Sequence, residues 1–462
     1  MKSYPEREAV QGRDLTRANA RRRLRRIFYL VFIVVLVGLA ISYWSWVDAQ
    51  ARAVVVISSV LDAPVLTPAI EAVSGEPRFA DVHVAGNPAL VARPAGDGPW
   101  PAIFLVNGTV PAGRKLPAVR HLAEGFARAG YLVVVPDLPG LMEDKITPRT
   151  VQETTKVARE ISTTADAKGG EVTLVGVSTG ATLSLLAAEN PVLKGKVSLV
   201  AGVAPFADIH TVVSVATTSH YRRDDGELVR YKAAPFLSYV VARSLIAALP
   251  PGEDRQTLMS ELEKVGRDNP HPLSDLRSRR TADLGPEAKS VVALLANRDP
   301  ERFDDLYAAL PEGVRHDLGE LSPLPGEGEI DVPVDLATGP HDKYFPPHES
   351  YELKRVAPER QVTVTGALDH AELNVSPGDI PAFLTFDGFV VRSLREAASK
   401  PSRPNRPCRR SRSTLLFALL ENNGWELSST RRPDERPYRV LRAKRTSQRL
   451  RPQAPLLCWC AV

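Results

Sequence analysis

The sequence predicts an α/β chain: a mostly parallel sheet with helices on both faces, a helical block inserted late in the sheet, and a membrane helix ahead of it. Three observations carry that prediction. From about residue 78 short apolar runs alternate with amphipathic segments; the alternation stops between residues 210 and 325; and Ile27–Val47 holds 21 residues without a charge.

The apolar run IFYLVFIVVLVGLAISYWSWV would measure about 31 Å as a helix, close to the hydrocarbon thickness of a bilayer. Arg21, Arg22, Arg23, Arg25 and Arg26 precede it and Asp48 follows, so the positive-inside rule puts residues 1–26 in the cytoplasm and the rest outside. Tyr43, Trp44 and Trp46 suit the far interface. Ala49-Gln50-Ala51 also fits a signal-peptidase site, in which case the protein is secreted. Residues 48–77 read as a linker.

The first sheet segments are Arg78–Ala85 and Pro88–Arg93, which flank a Gly86-Asn87 turn. Ala102–Val106 is a buried-strand run, and Leu116–Ala129 a helix with Leu116, Val119, Leu122 and Phe126 on one face. Tyr131–Val135 is the next strand. Thr150–Ser162 is a helix, Val172–Val175 a strand, Ala181–Ala188 a helix and Val197–Val203 a strand. These complete a first part over 78–209.

Residues 210–325 give helices at Phe236–Leu249, Arg255–Val265, Glu287–Ala296 and Pro300–Ala309, with no good strand, and read as a cap. Phe236–Leu249 is too short, and broken by Arg243, to span a bilayer; a pocket-facing lid helix is the better assignment. Strands resume at Val332–Ala337 and Gln361–Thr365, and a helix at Ile380–Ala397 closes a second part over 326–399.

Charge is unevenly spread. Residues 1–26 carry nine Lys/Arg against three Asp/Glu, and residues 401–462 carry fourteen against four; the 36 basic and 47 acidic side chains between them make the middle acidic. A basic pI therefore gives no case for nucleic-acid binding, and no nucleic-acid module is present. The 400–462 tail, rich in Arg and Pro, reads as disordered apart from Thr414–Leu420. Cys408, Cys458 and Cys460 all lie in it, so residues 27–400 can form no disulfide, and no His/Cys cluster completes a metal site.

Gly176-Val177-Ser178-Thr179-Gly180 lies directly between a strand and a helix, where a nucleophile elbow belongs. A serine hydroxyl needs a base, and chain order favours His370, with His341 and His348 as alternatives. The base needs a carboxylate. Asp342 follows the strand before His370, while Asp208 could supply the charge from one strand further along. Oxyanion donors are expected from the backbone of Thr179 and of Gly108 or Thr109.

The stretches AIFLVNGTVPAG, YLVVVPDLPG, GVSTG, TGPHDKYFPP and GALDHAEL together resemble the α/β-hydrolase superfamily, and within it bacterial dienelactone-hydrolase-like and esterase-like serine hydrolases. Asn107 departs from the His that relatives often carry there, and the Cys nucleophile of the dienelactone group has no counterpart. The resemblance implies hydrolysis of carboxylic esters or related acyl bonds through an acyl-enzyme. Ser178, His370 and Asp342 would be catalytic, with no metal or organic cofactor, on a small-molecule or lipid-like acyl substrate. An acyltransferase, or a non-catalytic scaffold that keeps the fold, are the competing functions.

Overall fold

The computed structural model describes residues 6–61, 70, 72, 74–323, 330–356, 360–373, 377–398, 425–428 and 440–443. Thr414–Leu420, the three cysteines and the side chains of Arg21 to Arg26 lie outside what is described.

Helix α1 (Glu6–Val60) is a single element of 55 residues. Within it Ile27–Val60 is apolar enough to cross a membrane. The described side chains between Ile27 and Val47 stand out in the open, whereas Ala49, Ala53, Val56 and Ile57 are buried. The expected linker thus begins as helix: residues 48–60 continue α1 without a break and dock on the domain. Their small and β-branched side chains at spacings of three and four form an apolar stripe that hydropathy alone does not separate from the run before it.

Strands β1 (Arg78–Val84) and β2 (Asn87–Arg93) form an antiparallel hairpin. There follow β3 (Trp100–Val106), α2 (Pro117–Arg128), β4 (Leu132–Pro136), α3 (Pro148–Ser162), β5 (Ala167–Val177), α4 (Thr179–Glu189) and β6 (Val197–Val203). After the insertion come β7 (Val334–Thr338) and β8 (Gln361–Val364). The eight strands make one sheet ordered β1-β2-β4-β3-β5-β6-β7-β8, with every pair from β4 to β8 parallel. This is the α/β-hydrolase arrangement. Its central strands are buried on both faces, which is why they read as continuous apolar runs.

The insertion holds α5 (Ile209–Thr218), α6 (Pro235–Ala247), α7 (Glu253–Val265), α8 (Pro286–Ala296) and α9 (Glu312–Gly319). It also contains a two-stranded hairpin, His220–Arg222 with Leu228–Arg230, where no strand is expected. Helix α10 (His348–Val356) follows β7, and α11 (Ile380–Ala398) follows β8.

Two apolar cores result, one on each side of the sheet. One joins α3, α4, α10 and the cap; the other joins the end of α1, α2 and α11. Within residues 402–462, a separate compact unit, Trp425–Ser428 pairs antiparallel with Val440–Ala443, two stretches that the sequence predicts to be disordered.

Candidate active site

The carboxyl edge of the sheet gathers the candidate residues. Ser178 joins β5 to α4 at φ 58° and ψ −129°, a left-handed conformation that is costly for a residue with a Cβ. The turn is held by Ser178 N–H donating to Val203 O at 2.7 Å and Ala181 N–H donating to Ser178 O at 2.8 Å. It is also held by close packing: a Cβ on Gly180 would fall 2.2 Å from Val106 O, so only glycine lets the elbow press on the end of β3. A Cβ on Gly108 would lie 3.2 Å from Ser178 Cβ and 3.6 Å from its Oγ, which puts the Gly108 backbone beside the hydroxyl.

Thr179 opens α4, so its N–H is among those with no partner inside the helix and sits at the positive end of the helix dipole. Its hydroxyl is buried without a hydrogen-bond partner among the described residues. Thr109 is buried beside Gly108 in sequence. The loop that carries both is pinned by Asp137, which accepts from Arg114 N–H at 2.8 Å and pairs with the Arg114 guanidinium.

His370 and Asp342 meet across 28 positions of sequence. His370 Nδ1 lies 2.9 Å from Asp342 Oδ1 and 2.8 Å from Oδ2, and both side chains are almost wholly buried. A carboxylate can only accept, so Nδ1 carries the proton and Nε2 presents a lone pair. Asp342 Oδ1 also accepts from the N–H groups of Tyr344 (2.8 Å) and Phe345 (2.9 Å). His370 stands at φ 58°, at the tip of the small hairpin formed by Leu368-Asp369 and Glu372-Leu373. Tyr344 packs edge-on against its ring at 4.6 Å and Phe345 at 5.7 Å. Ser178 Oγ makes no hydrogen bond among the described residues.

Asp208, the competing acid, is engaged elsewhere. It caps α5 by accepting from His210 N–H at 3.0 Å and lies 3.3 Å from Ser322 Oγ. His348 stacks on Tyr221 at 5.6 Å, so neither it nor Asp208 takes part in the His370–Asp342 pair.

Several contributors escape a sequence reading. Tyr231, from the cap, donates its hydroxyl to the carbonyls of Asp342 and Phe345, the latter at 3.0 Å, and so ties the cap to the acid's loop. Burial pushes its phenol well above the ordinary range. Glu349 accepts from the N–H groups of Ala207 and Asp208 at 2.8 and 2.9 Å, fixing the turn after β6. Burial raises that carboxyl to about 8. Nothing in the local sequence signals either role, because both are contacts between distant segments.

Beside Thr179 lies a small apolar cavity of about 20 Å³, walled by Phe206, Leu237, Val240, Val241, Leu245 and Phe345 among others. The helix expected to face a pocket contributes Leu237, Val240, Val241 and Leu245 to it, whereas Phe236 stacks under the Arg267 guanidinium at 4.6 Å. Away from the site, Asp224, His348 and Glu352 could offer metal ligands within 4.8 Å of one another. Arg355 already spans the two carboxylates, at 3.1 Å and 2.6 Å, and supplies the positive charge a cation would bring.

No protein-family model matches the chain, and no curated protein matches it. Solved structures that resemble it include esterase B from Lactobacillus rhamnosis, 14% identical over 76% of this chain and 97% of that one, with a TM-score of 0.37. A mutant of the rice cell wall degrading esterase LipA from Xanthomonas oryzae is 18% identical over 70% and 93%, with a TM-score of 0.41. Est1E from Butyrivibrio proteoclasticus is 11% identical over 70% and 100%, with a TM-score of 0.37. The chain resembles them at this level only.

Proposed function

We propose that this chain is a membrane-held serine hydrolase that cleaves carboxylic esters or related acyl bonds. The observation that carries the proposal is the buried His370–Asp342 pair at the edge of the sheet where Ser178 stands on a strained elbow. In this scheme Ser178 Oγ attacks the acyl carbon while His370 Nε2 takes its proton. The N–H of Thr179, with that of Gly108 or Thr109, holds the oxyanion. His370 then gives the proton to the leaving alcohol, and water repeats the sequence on the acyl-enzyme. Asp342 keeps the imidazole in the tautomer the first step needs. The scheme calls for no metal or organic cofactor. The cavity beside Thr179 would seat an apolar substituent of the ester.

Anchoring through residues 27–47 is preferred over a cleaved signal. Cleavage after Ala51 would cut inside α1 and strip Ala49, 1% exposed, from the core it packs in. The charge flanking that segment puts the hydrolase domain on the outer side. The decisive experiment is labelling with a fluorophosphonate probe. Wild type should be labelled at Ser178 and the Ser178→Ala variant should not; a folded, unlabelled wild type would favour a binding or scaffold role. Protease added outside spheroplasts should digest the domain and spare a tag placed before Arg21.

A further inference from the structure

The face of the sheet opposite the cap carries a second apolar space, of about 140 Å³. Its walls are Val56, Ile57 and Val60 of α1 and Phe389 and Val390 of α11, and its floor includes Val175. It follows the strands from Thr173 to Val177 on β5, a length of about 13 Å. Its two ends differ. At one, Val177 and Ala371 line it, each next in sequence to Ser178 or His370. At the other, α11 runs toward the membrane segment: Arg395 stacks on Trp46 at 4.3 Å, and Leu394 and Ala397 line the groove. Val60, Leu61, Ile380 and Leu384, at the α1 and α11 ends that lie away from Trp46, leave large apolar side chains exposed.

We propose that this groove holds one long acyl chain of a bilayer lipid ester, led from the membrane side toward Ser178. The inference rests on the membrane-held hydrolase reading and names its substrate class. Three observations select this occupant. The lining is apolar almost throughout, so it offers nothing to a polar ligand or peptide backbone. One wall belongs to the same unbroken helix whose described side chains between Ile27 and Val47 are exposed and mostly apolar, so a hydrocarbon chain passes from lipid to groove along apolar surface. The groove reaches Val177 and Ala371, which are next in sequence to Ser178 and His370. The acyl chain would then lie on one face of the sheet and the alcohol portion under the cap on the other.

The test uses the full chain in phosphatidylcholine–phosphatidylglycerol nanodiscs, with Ser178→Ala to prevent turnover and a phosphatidylcholine bearing a diazirine at one acyl terminus. Photolabel should appear in peptides covering 389–397 and 173–177 as well as in 27–47. Label confined to 27–47 overturns the proposal and leaves the groove to the chain's own residues or to a second copy. Val60→Trp, at a position 41% exposed and so tolerant of bulk, should block the passage. In the variant with Ser178 intact, kcat/KM on a palmitoyl ester should fall at least tenfold, while a butyryl ester stays within twofold. An unchanged palmitoyl-to-butyryl ratio overturns the proposal too. Failure of the hydrolase reading shows separately, as a folded wild type that fluorophosphonate does not label, and leaves the photolabelling readable.

Discussion

The two faces of the central sheet are covered in different ways. On the cap side, α3, α4, α10 and the insertion close over the strands and leave a small cavity against Thr179. On the other side, α2 and α11 stand apart, and the last turns of α1 enter between them, leaving a larger apolar groove. The cap side is built by the chain folding on itself. The opposite side borrows its cover from a helix whose described side chains between Ile27 and Val47 stand exposed, and so couples the fold to wherever that helix is held. An inserted cap reshapes one face of this fold; an N-terminal helix reshapes the other.

The largest expected effect lies where the two faces meet, at the carboxyl edge. Ser178→Ala should lower kcat by three orders of magnitude or more, and Asp342→Asn by about 10³–10⁴, with little change in thermal midpoint. Asp208→Asn should keep nearly full activity, since asparagine also caps α5 well. Steady-state kinetics on a soluble ester read all three. A reversed order for the two aspartates would move the acid to the turn after β6.

Next comes a pair of truncations that asks what α1 contributes to its face. Starting the chain at Asp48 should leave the domain folded, whereas starting it at Leu61 removes the buried Ala49, Ala53, Val56 and Ile57. Burying the valine and isoleucine side chains contributes about 1.5–3 kcal/mol each. At about 2–4 °C per kcal/mol for a domain of this size, the midpoint should fall by roughly 10 °C or more. Midpoints within 2 °C of each other would mean that the docked helix is an accessory.

How much of this was legible follows the same division. The strands could be read because each is an uninterrupted apolar run, and the elbow because GVSTG sits between two such elements. The His370–Asp342 contact follows from chain order. The cap hairpin was missed because its three-residue strands flank the charged turn Arg223-Asp224-Asp225-Gly226-Glu227, which leaves almost no alternation to detect. Helix α5 was missed because Thr211, Val212, Val213, Val215, Thr217 and Thr218 are β-branched and argue locally against helix; an Asp208 cap and tertiary burial prevail. The docking of residues 48–60 was hidden by the apolar run before them, whose hydropathy merges with theirs. Tyr231 and Glu349 carry no local signature at all.

Buried carboxylates sharpen the contrast between faces. Asp335, against α11, is raised by burial but answered by Arg392 at 3.0 Å and by Ser393. Glu349, on the cap side, has backbone N–H groups as its hydrogen-bond partners among the described residues and stands at about 8. A carboxyl raised in the folded state binds its proton more tightly there than when unfolded. Its stabilising contribution is full below the unfolded value, near 4.5, and is lost as pH rises through about 8. Stability should therefore decline between those values, and Glu349→Gln should flatten that slope while keeping an acceptor for Ala207 and Asp208. Urea midpoints at pH 5 and pH 8.5 give the comparison; an equal decline in the variant would assign the slope to other groups.

The smallest expected effect is also the one that most directly opposes the two faces. If the alcohol portion of the ester lies under the cap, Leu237→Ala, Val240→Ala and Val241→Ala should each change discrimination between methyl and butyl esters of one fixed acid. A methylene or two in an apolar pocket is worth about 1–3 kcal/mol at most, and part of that is lost to local repacking, so a three- to tenfold change in the ratio of kcat/KM is the expected scale. Phe236→Ala should leave the ratio unchanged, because its ring packs under Arg267 and does not line the cavity. Preference among acyl chains from butyryl to palmitoyl should stay as in the wild type in all four variants, since the groove shares no residue with that cavity. A shift in acyl-chain preference with no change among alcohols would put the acyl chain under the cap. The groove on the other face would then lose its claim to the lipid, and the cap alone would set specificity.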